Sequence, residues 1–266
     1  MPPDNALPDI PPTRLPVAIG GVTQTIVQDL GASIVIGQFS DGSFPTESAL
    51  CSRYGAARTV LREAVKMLTA KGLISSRPGS GIKIAPEDNW NLLDPDVLRW
   101  LLERKFSLQL LVEFTQIRLA VEPEAAALAA TVATDADKMA IRHAIARMYA
   151  AERGDDDPLA SDIAFHVSVL YASNNRFMRQ MRDMIATALR ISIRRTNELK
   201  GVHIASARDH DNVAELILAG KAVAASAAMR SLIQGALDLV RKRIVKEAAS
   251  GLKKSKRTRQ KATEDK

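Results

Sequence analysis

Asp162 and His166 stand four residues apart in Asp-Ile-Ala-Phe-His, a spacing that places a carboxylate and an imidazole on one helix face. Together they suit a divalent zinc, nickel or manganese ion, and His210, opening a later helical segment, could add a third ligand. The commoner use of this spacing is a surface ion pair. Arg118 lies on an otherwise apolar helical stretch. Its guanidinium could clamp a ligand carboxylate bidentately, or pair with Glu122 one turn on. Arg190, in another apolar stretch, is a second candidate for a ligand pocket. A different chemistry sits near the N-terminus. Arg58 and Arg62 share one helix face, with Thr59 beside Arg58, and two such arginines can reach base edges in a DNA major groove.

The elements that position these arginines are legible in residues 45–81. A short helix runs to Tyr54 and breaks at Gly55. A longer one follows with Leu61, Ala64, Val65 and Leu68 as its apolar stripe, which turns Arg58 and Arg62 outward. Gly72 falls where a left-handed C-cap belongs. The hairpin at Arg77-Pro78-Gly79-Ser80-Gly81 could lie on phosphates. This pattern predicts a winged helix-turn-helix, with the helix-turn-helix over about 47–66. The alternative is a plain helical hairpin with solvated arginines.

The segment resembles the GntR family of bacterial repressors. The resemblance rests on Pro45, Glu47 and Leu50; Gly55, Arg58, Arg62, Glu63 and Ala64; Leu68, Gly72 and Leu73; and Pro78, Gly79 and Gly81. It implies operator DNA as partner, with Arg58, Thr59, Arg62, Arg77 and Gly79 as contacts. Two positions depart from the family pattern. Ala57 replaces the usual Ser or Thr that caps the recognition helix, forgoing about 1 kcal/mol, and Ser48 replaces a frequent arginine after Glu47.

From Trp90 onward the pattern is helical, with about seven helices: one opening at Asp94-Pro95, then 108–133, 135–153, 158–173, 176–199, 207–219 and 223–247. This half resembles the FCD effector domain of the FadR subgroup. The supporting residues are Arg118, Glu122, Pro123, Ala125 and Ala126, Asp162 and His166, Asn175, His210, and Ala219-Gly220. The opening Trp90-Asn91-Leu92-Leu93-Asp94 through Trp100 is similar to galactonate-type repressors, which respond to sugar acids. The resemblance implies that Asp162, His166 and His210 face one cavity, in which Arg118 and, secondarily, Arg190 are the candidates for the effector. It also implies a fourth ligand, a histidine, at the position held here by Leu232. The site would then keep an open position for a sugar-acid carboxylate or hydroxyl. Alternatively, no metal binds and the same side chains hydrogen-bond polyol hydroxyls.

Composition bounds the rest. At 266 residues the chain has room for two domains. The expected layout is a proline-rich arm over 1–15, a DNA-binding head over 16–86, a helical ligand-binding and dimerisation domain over 87–248, and a basic disordered tail over 249–266. The single cysteine, Cys51, allows no disulfide framework and fits a reducing cytoplasm. The N-terminal residues have neither a basic start nor a long apolar run, and no stretch approaches ~18 uninterrupted apolar residues. A net charge of +7, set against +8 for the last 26 residues, leaves −1 for the first 240. The basic character therefore belongs to the tail, which could attract nucleic acid without regard to sequence or simply solubilise. His143 and His203 have no partner at metal spacing, and Trp90 and Trp100 suit packing at a domain junction. No Walker loop, Gly-x-Ser-x-Gly or His-Glu-x-x-His occurs. The reading is a mostly α, dimeric, ligand-responsive DNA-binding repressor of a sugar-acid operon, and not an enzyme. Its rivals are a metal-dependent hydrolase built on Asp162, His166 and His210, and a nonspecific nucleic-acid binder working through the tail.

Overall fold

The computed structural model describes residues 21–39, 44–77, 81–104, 107–190 and 206–264, with side chains described up to residue 247 except at 76, 77 and 104. The chain divides into two compact units, residues 1–105 and 106–266. The expected arm and the wing tip at Pro78-Gly79-Ser80, with its candidate Gly79, lie outside the described residues, as does His203.

The first unit runs α1 (Gly21–Val35), α2 (Glu47–Tyr54), α3 (Arg58–Ala70), β1 (Ile74–Arg77), β2 (Gly81–Ile84), a 3₁₀ turn (Glu87–Asn89) and α4 (Pro95–Arg104). β1 and β2 pair antiparallel with Ile74 opposite Ile84 and Arg77 opposite Gly81, forming the wing. Ile26, Val27 and Leu30 of α1 and Leu61, Ala64 and Leu68 of α3 are wholly buried, and each large aliphatic side chain so buried stabilises the unit by roughly 1.5–3 kcal/mol. Val65, expected in that stripe, is only half-buried.

Residues 87–104 were expected with the helical domain, but they pack on the head. Trp100 is the reason. Its indole fills a slot over Gly31 of α1, where an added Cβ would stand 2.3 Å from the ring. Its Nε1 donates to Gln28 at 3.0 Å, and Arg99 also donates to the Gln28 side chain. Lys71, at the end of α3, reaches Asp94 at 2.8 Å and Asp96 at 2.9 Å. Asp94 in turn caps α4 by accepting from the amides of Asp96 and Val97. Gly72 adopts φ +76°, and any Cβ there would meet the Asn89 carbonyl at 2.1 Å, so the turn between α3 and the wing accepts only glycine.

The second unit is a helical bundle: α5 (Leu108–Val132), α6 (Asp135–Glu152), α7 (Pro158–Ala172), α8 (Arg176–Gln180), α9 (182–190), α10 (Ala207–Leu218) and α11 (Ala222–Glu264). Two expectations need correction. The helix expected over 176–199 breaks at Met181, and residues 191–199 lie outside the described residues; in α9 Met184, Ile185, Ala188 and Leu189 are buried, while Arg190 is exposed. The tail expected to be disordered from 249 continues α11 as helical backbone to Glu264. Its Lys, Arg, Gln and Ala residues are good helix formers, and Pro is absent from it.

Within α11, Ala222–Glu247 is long and apolar enough by composition to cross a membrane, yet it buries Ala225, Met229, Ile233, Leu237 and Val240 as a bundle core helix does. Leu237 and Val240 pack with Leu111 and Val112 of α5. Pro123 inside α5 cannot donate to the Leu119 carbonyl one turn back; Arg230 of α11 donates to that carbonyl instead, at 3.4 Å.

Gly31→Ala should lower the stability of the first unit by about 1–3 kcal/mol through overpacking, despite the helix propensity gained. Both tryptophans of the chain lie in this unit, so denaturant unfolding followed by tryptophan fluorescence reads the loss directly. An unchanged midpoint would mean that the indole does not occupy that slot.

Candidate DNA-reading face and buried effector site

On the head, local chemistry sets where the arginines stand. Thr46 caps α2 by accepting from the Ala49 amide at 3.2 Å, and Gly55 ends it at φ +58°. Asp29 of α1 accepts from Arg53 and Tyr54, fixing the end of α2. α3 starts at Arg58 behind Ala57, whose side chain makes no capping bond, as expected of alanine there. Arg58, Thr59 and Arg62 are all exposed on the side of α3 opposite Leu61, Ala64 and Leu68. Arg77 lies at the end of β1, its backbone paired with Gly81. Arg62 has a partner that the sequence did not suggest: its Nε donates to Glu47 Oε1 at 2.6 Å.

The second site is buried in the bundle. Asp162 and His166 come from α7, His210 from the first turn of α10, and Arg118 and Glu122 from α5. All five are nearly inaccessible to solvent. Potential ligand atoms of Asp162, His166 and His210 lie within 4.8 Å of one another. Each imidazole is oriented by a bond at its far nitrogen. His166 Nδ1 stands 2.6 Å from Glu122 Oε2, and His210 Nδ1 is 2.8 Å from the Ser206 carbonyl. A proton on each Nδ1 leaves Nε2 of His210 at 3.0 Å from Asp162 Oδ1, and Nε2 of His166 at 4.0 Å from the same oxygen but nearer to Arg118 Nη2, at 3.2 Å. This is the arrangement in which outer hydrogen bonds hold imidazoles ready for a metal. Without a cation between them, the short His210–Asp162 contact holds one proton between the two groups and favours the protonated imidazole. Burial opposes that charge, but the bond to Asp162 and its negative charge outweigh burial and raise the His210 pKa.

Arg118 does not stand as an open clamp. Its Nε and Nη2 bond Glu122 at 2.5 and 3.3 Å, and Nη2 also lies 3.2 Å from His166 Nε2. The pairing with Glu122 one turn on is thus the alternative that the structure contains. Burial would raise Glu122, but the Arg118 charge and the His166 and Arg118 hydrogen bonds win and hold it at about 2. Phe165, fully buried, packs edge-on against both imidazoles, at 5.4 Å from His166 and 5.1 Å from His210, which lie 5.3 Å from each other. Neither Glu122 as a partner of His166 nor Phe165 as a wall against His210 could be read from spacing, because those contacts cross between helices. Arg190 is exposed, unlike every member of the cluster, and Leu232 is half-buried on α11. His143 is exposed, as expected.

Comparison with known proteins agrees with both halves. The FCD domain family matches residues 113–235, and the family of bacterial regulatory proteins, gntR family, matches residues 22–84. The galactonate operon transcriptional repressor of Escherichia coli (strain K12) is 35% identical over 175 residues, 65% of this chain and 76% of that protein. The chain belongs to the GntR family. It is a transcriptional regulator of the GntR type with an FCD domain, and not an enzyme, so the hydrolase reading falls away. The Glc operon transcriptional activator of Escherichia coli (strain K12) is 27% identical over 165 residues, 59% of this chain and 63% of that protein. A solved structure described as Lar, which controls the Listeria monocytogenes agr system, superposes with a TM-score of 0.52 at 16% identity. It covers 85% of this chain and 99% of that one, and supports the fold.

Because Glu122 is held at about 2 in the fold and stands near 4.3 when unfolded, its ionised form stabilises the native state above about pH 4.3. That contribution, on the order of 3 kcal/mol, is lost as pH falls through the folded value. Glu122→Gln should make the pH slope below about 4.3 shallower, the rest belonging to Asp96, Asp156 and Asp162, whose carboxyls are also held low, and should destabilise the protein at neutral pH by leaving Arg118 buried without its counter-charge. Urea unfolding at a series of pH values measures both.

Proposed function

We propose that the protein is a homodimeric cytoplasmic repressor of a sugar-acid catabolic operon, released from its operator by an aldonate bound in the buried cluster. Each head reads half of a pseudo-palindrome, with Arg58 and Arg62 on base edges, Thr59 on phosphate, and Arg77 and Gly79 of the wing on the flanking backbone. The galactonate operon relative, the more similar of the two regulators compared, favours repression and a sugar-acid effector.

The observation that carries the effector class is the buried cluster of Asp162, His166 and His210 with Arg118 and Glu122 beside it. With a second proton on His210 and one on His166, Arg118 and His210 would balance Glu122 and Asp162. If a divalent ion replaces the second proton on His210, the sum becomes +1, which one carboxylate neutralises in a region where an unbalanced charge is costly. Asp162, His166 and His210 are the residues that would hold such an ion. Bound there, it would supply an electrophilic position for a carboxylate or hydroxyl oxygen. Arg118 would act through charge and through its hold on Glu122 and His166. A position occupied by Leu232 rather than histidine leaves three protein ligands and room for the effector.

Thermal shift with galactonate and related aldonates, with and without chelator, tests the reading. The expected result is an aldonate-dependent rise in melting temperature that chelator abolishes. A rise that survives chelation would replace the ion with direct hydrogen bonding to hydroxyls; no response to any sugar acid would overturn the effector class. Leu232→His should retain more metal by elemental analysis and respond less to aldonate. On DNA, Arg58→Ala or Arg62→Ala should each cost roughly 1–3 kcal/mol of operator binding with unfolding unchanged.

A further inference from the structure

Glu47 occupies the first position of α2, and the Thr46 cap fixes its backbone. Its carboxylate faces Arg62 across the turn of the helix-turn-helix, with Arg62 Nε at 2.6 Å and Nη2 at 3.4 Å. Arg62 is two-thirds exposed and Glu47 about one-third, so the pair is screened by water and contributes little to folding. A carboxylate on a surface meant for DNA is repelled by phosphates unless its charge is engaged. Glu47 is engaged by Arg62 on that very face, and its pKa is lowered chiefly by the Arg62 hydrogen bond.

The direction of this contact matters. It takes the Nε edge of the guanidinium and leaves the opposite end, Nη1 with the second hydrogen of Nη2, to point onward. That end is the fork which meets O6 and N7 of guanine in bidentate readout. Arginine is otherwise a flexible side chain that must be ordered on binding, and a fixed carboxylate beside it orders it in advance.

We propose that Glu47 is a specificity-determining positioning residue, whose carboxylate holds Arg62 so that its free end reads one guanine in each half-site. This inference rests on α3 being the recognition helix. It assigns Glu47 no contact with DNA itself.

The test uses the full-length protein, a duplex selected by it from a random pool, single-base variants of that duplex, and an unrelated duplex of equal length. Binding is read by fluorescence anisotropy for Glu47→Ala, Glu47→Gln, Arg62→Ala and the double variant Glu47→Ala/Arg62→Ala. Glu47→Ala should weaken binding to the selected duplex about 5- to 20-fold while binding to unrelated DNA is equal or slightly tighter. Glu47→Gln, which keeps one acceptor oxygen for Arg62, should recover part of the loss. Discrimination should relax at the same guanine that Arg62→Ala relaxes, and the double variant should be no worse than Arg62→Ala alone. Equal tightening on all duplexes, or additive losses in the double variant, would overturn the positioning role. If Arg62→Ala weakens operator binding and neither Glu47 variant does, only this inference fails. If Arg62→Ala has no effect, the recognition-helix reading fails with it.

Discussion

Five ionisable side chains buried in one bundle have to satisfy one another, because water cannot. In the second unit that requirement is met by two short chains of contacts. Arg118 holds Glu122, and Glu122 holds His166; Asp162 holds His210, and His210 donates back to its own helix at Ser206. The first chain ties α5 to α7, and the second ties α7 to α10. None of the three helices can turn about its axis without stranding a buried charge, at a cost of several kcal/mol. The apolar packing around them is permissive by comparison, since aliphatic side chains tolerate small slides. Polar satisfaction is therefore what gives this bundle one register, and the same constraint sets His210 on Asp162.

The head achieves its register by a different device, exclusion of volume. Gly31 makes room for the Trp100 ring and Gly72 for the Asn89 carbonyl; either position with a side chain would push α4 or the wing connection away. Lys71 then secures the arrangement through Asp94 and Asp96, burial opposing its charge while the two carboxylates overcome that opposition. The outcome is that α4 travels with the recognition unit as one body. Its only covalent route to the bundle is the short stretch between Arg104 and Leu108.

Elements with periodic patterns or strong punctuation were legible in the sequence: α3 by its stripe, α4 by its Asp94-Pro95 opening, α5 and α7 by their helical spans, Gly55 and Gly72 by the turns they permit. The pairing of Asp162 with His166 was legible as a spacing, and the outward face of Arg58 and Arg62 followed from the helix period. What the sequence hid lies between elements. Glu47 and Arg62 are fifteen residues apart on two helices, and Glu122 and His166 are on different helices again. Nothing local marks either pair. The boundary before α4 was misplaced because Pro86 and the acidic run after it read as a linker, whereas Trp100 needs a slot that only α1 offers. The helix expected over 176–199 is interrupted at Met181, a turn that an apolar run does not disclose.

These constraints bear on how a ligand in the cluster could alter the head. α5 carries two of the five buried ionisable side chains and is the first element after the junction, so a rearrangement at Arg118 or Glu122 acts on the helix nearest in sequence to α4. Pro123 follows Glu122 directly and interrupts the hydrogen bonding of α5 one turn back, at Leu119, where Arg230 of α11 accepts the duty. A helix so interrupted has a place to bend that does not break its other bonds. On the proposed reading, an anion drawing charge away from the Arg118–Glu122 pair would load that place first. The N-terminal half of α5, packed on Leu237 and Val240 of α11, would then move as a piece. The switch needs only a few kcal/mol of difference between two arrangements, an amount within the range of a single buried ion pair gained or lost.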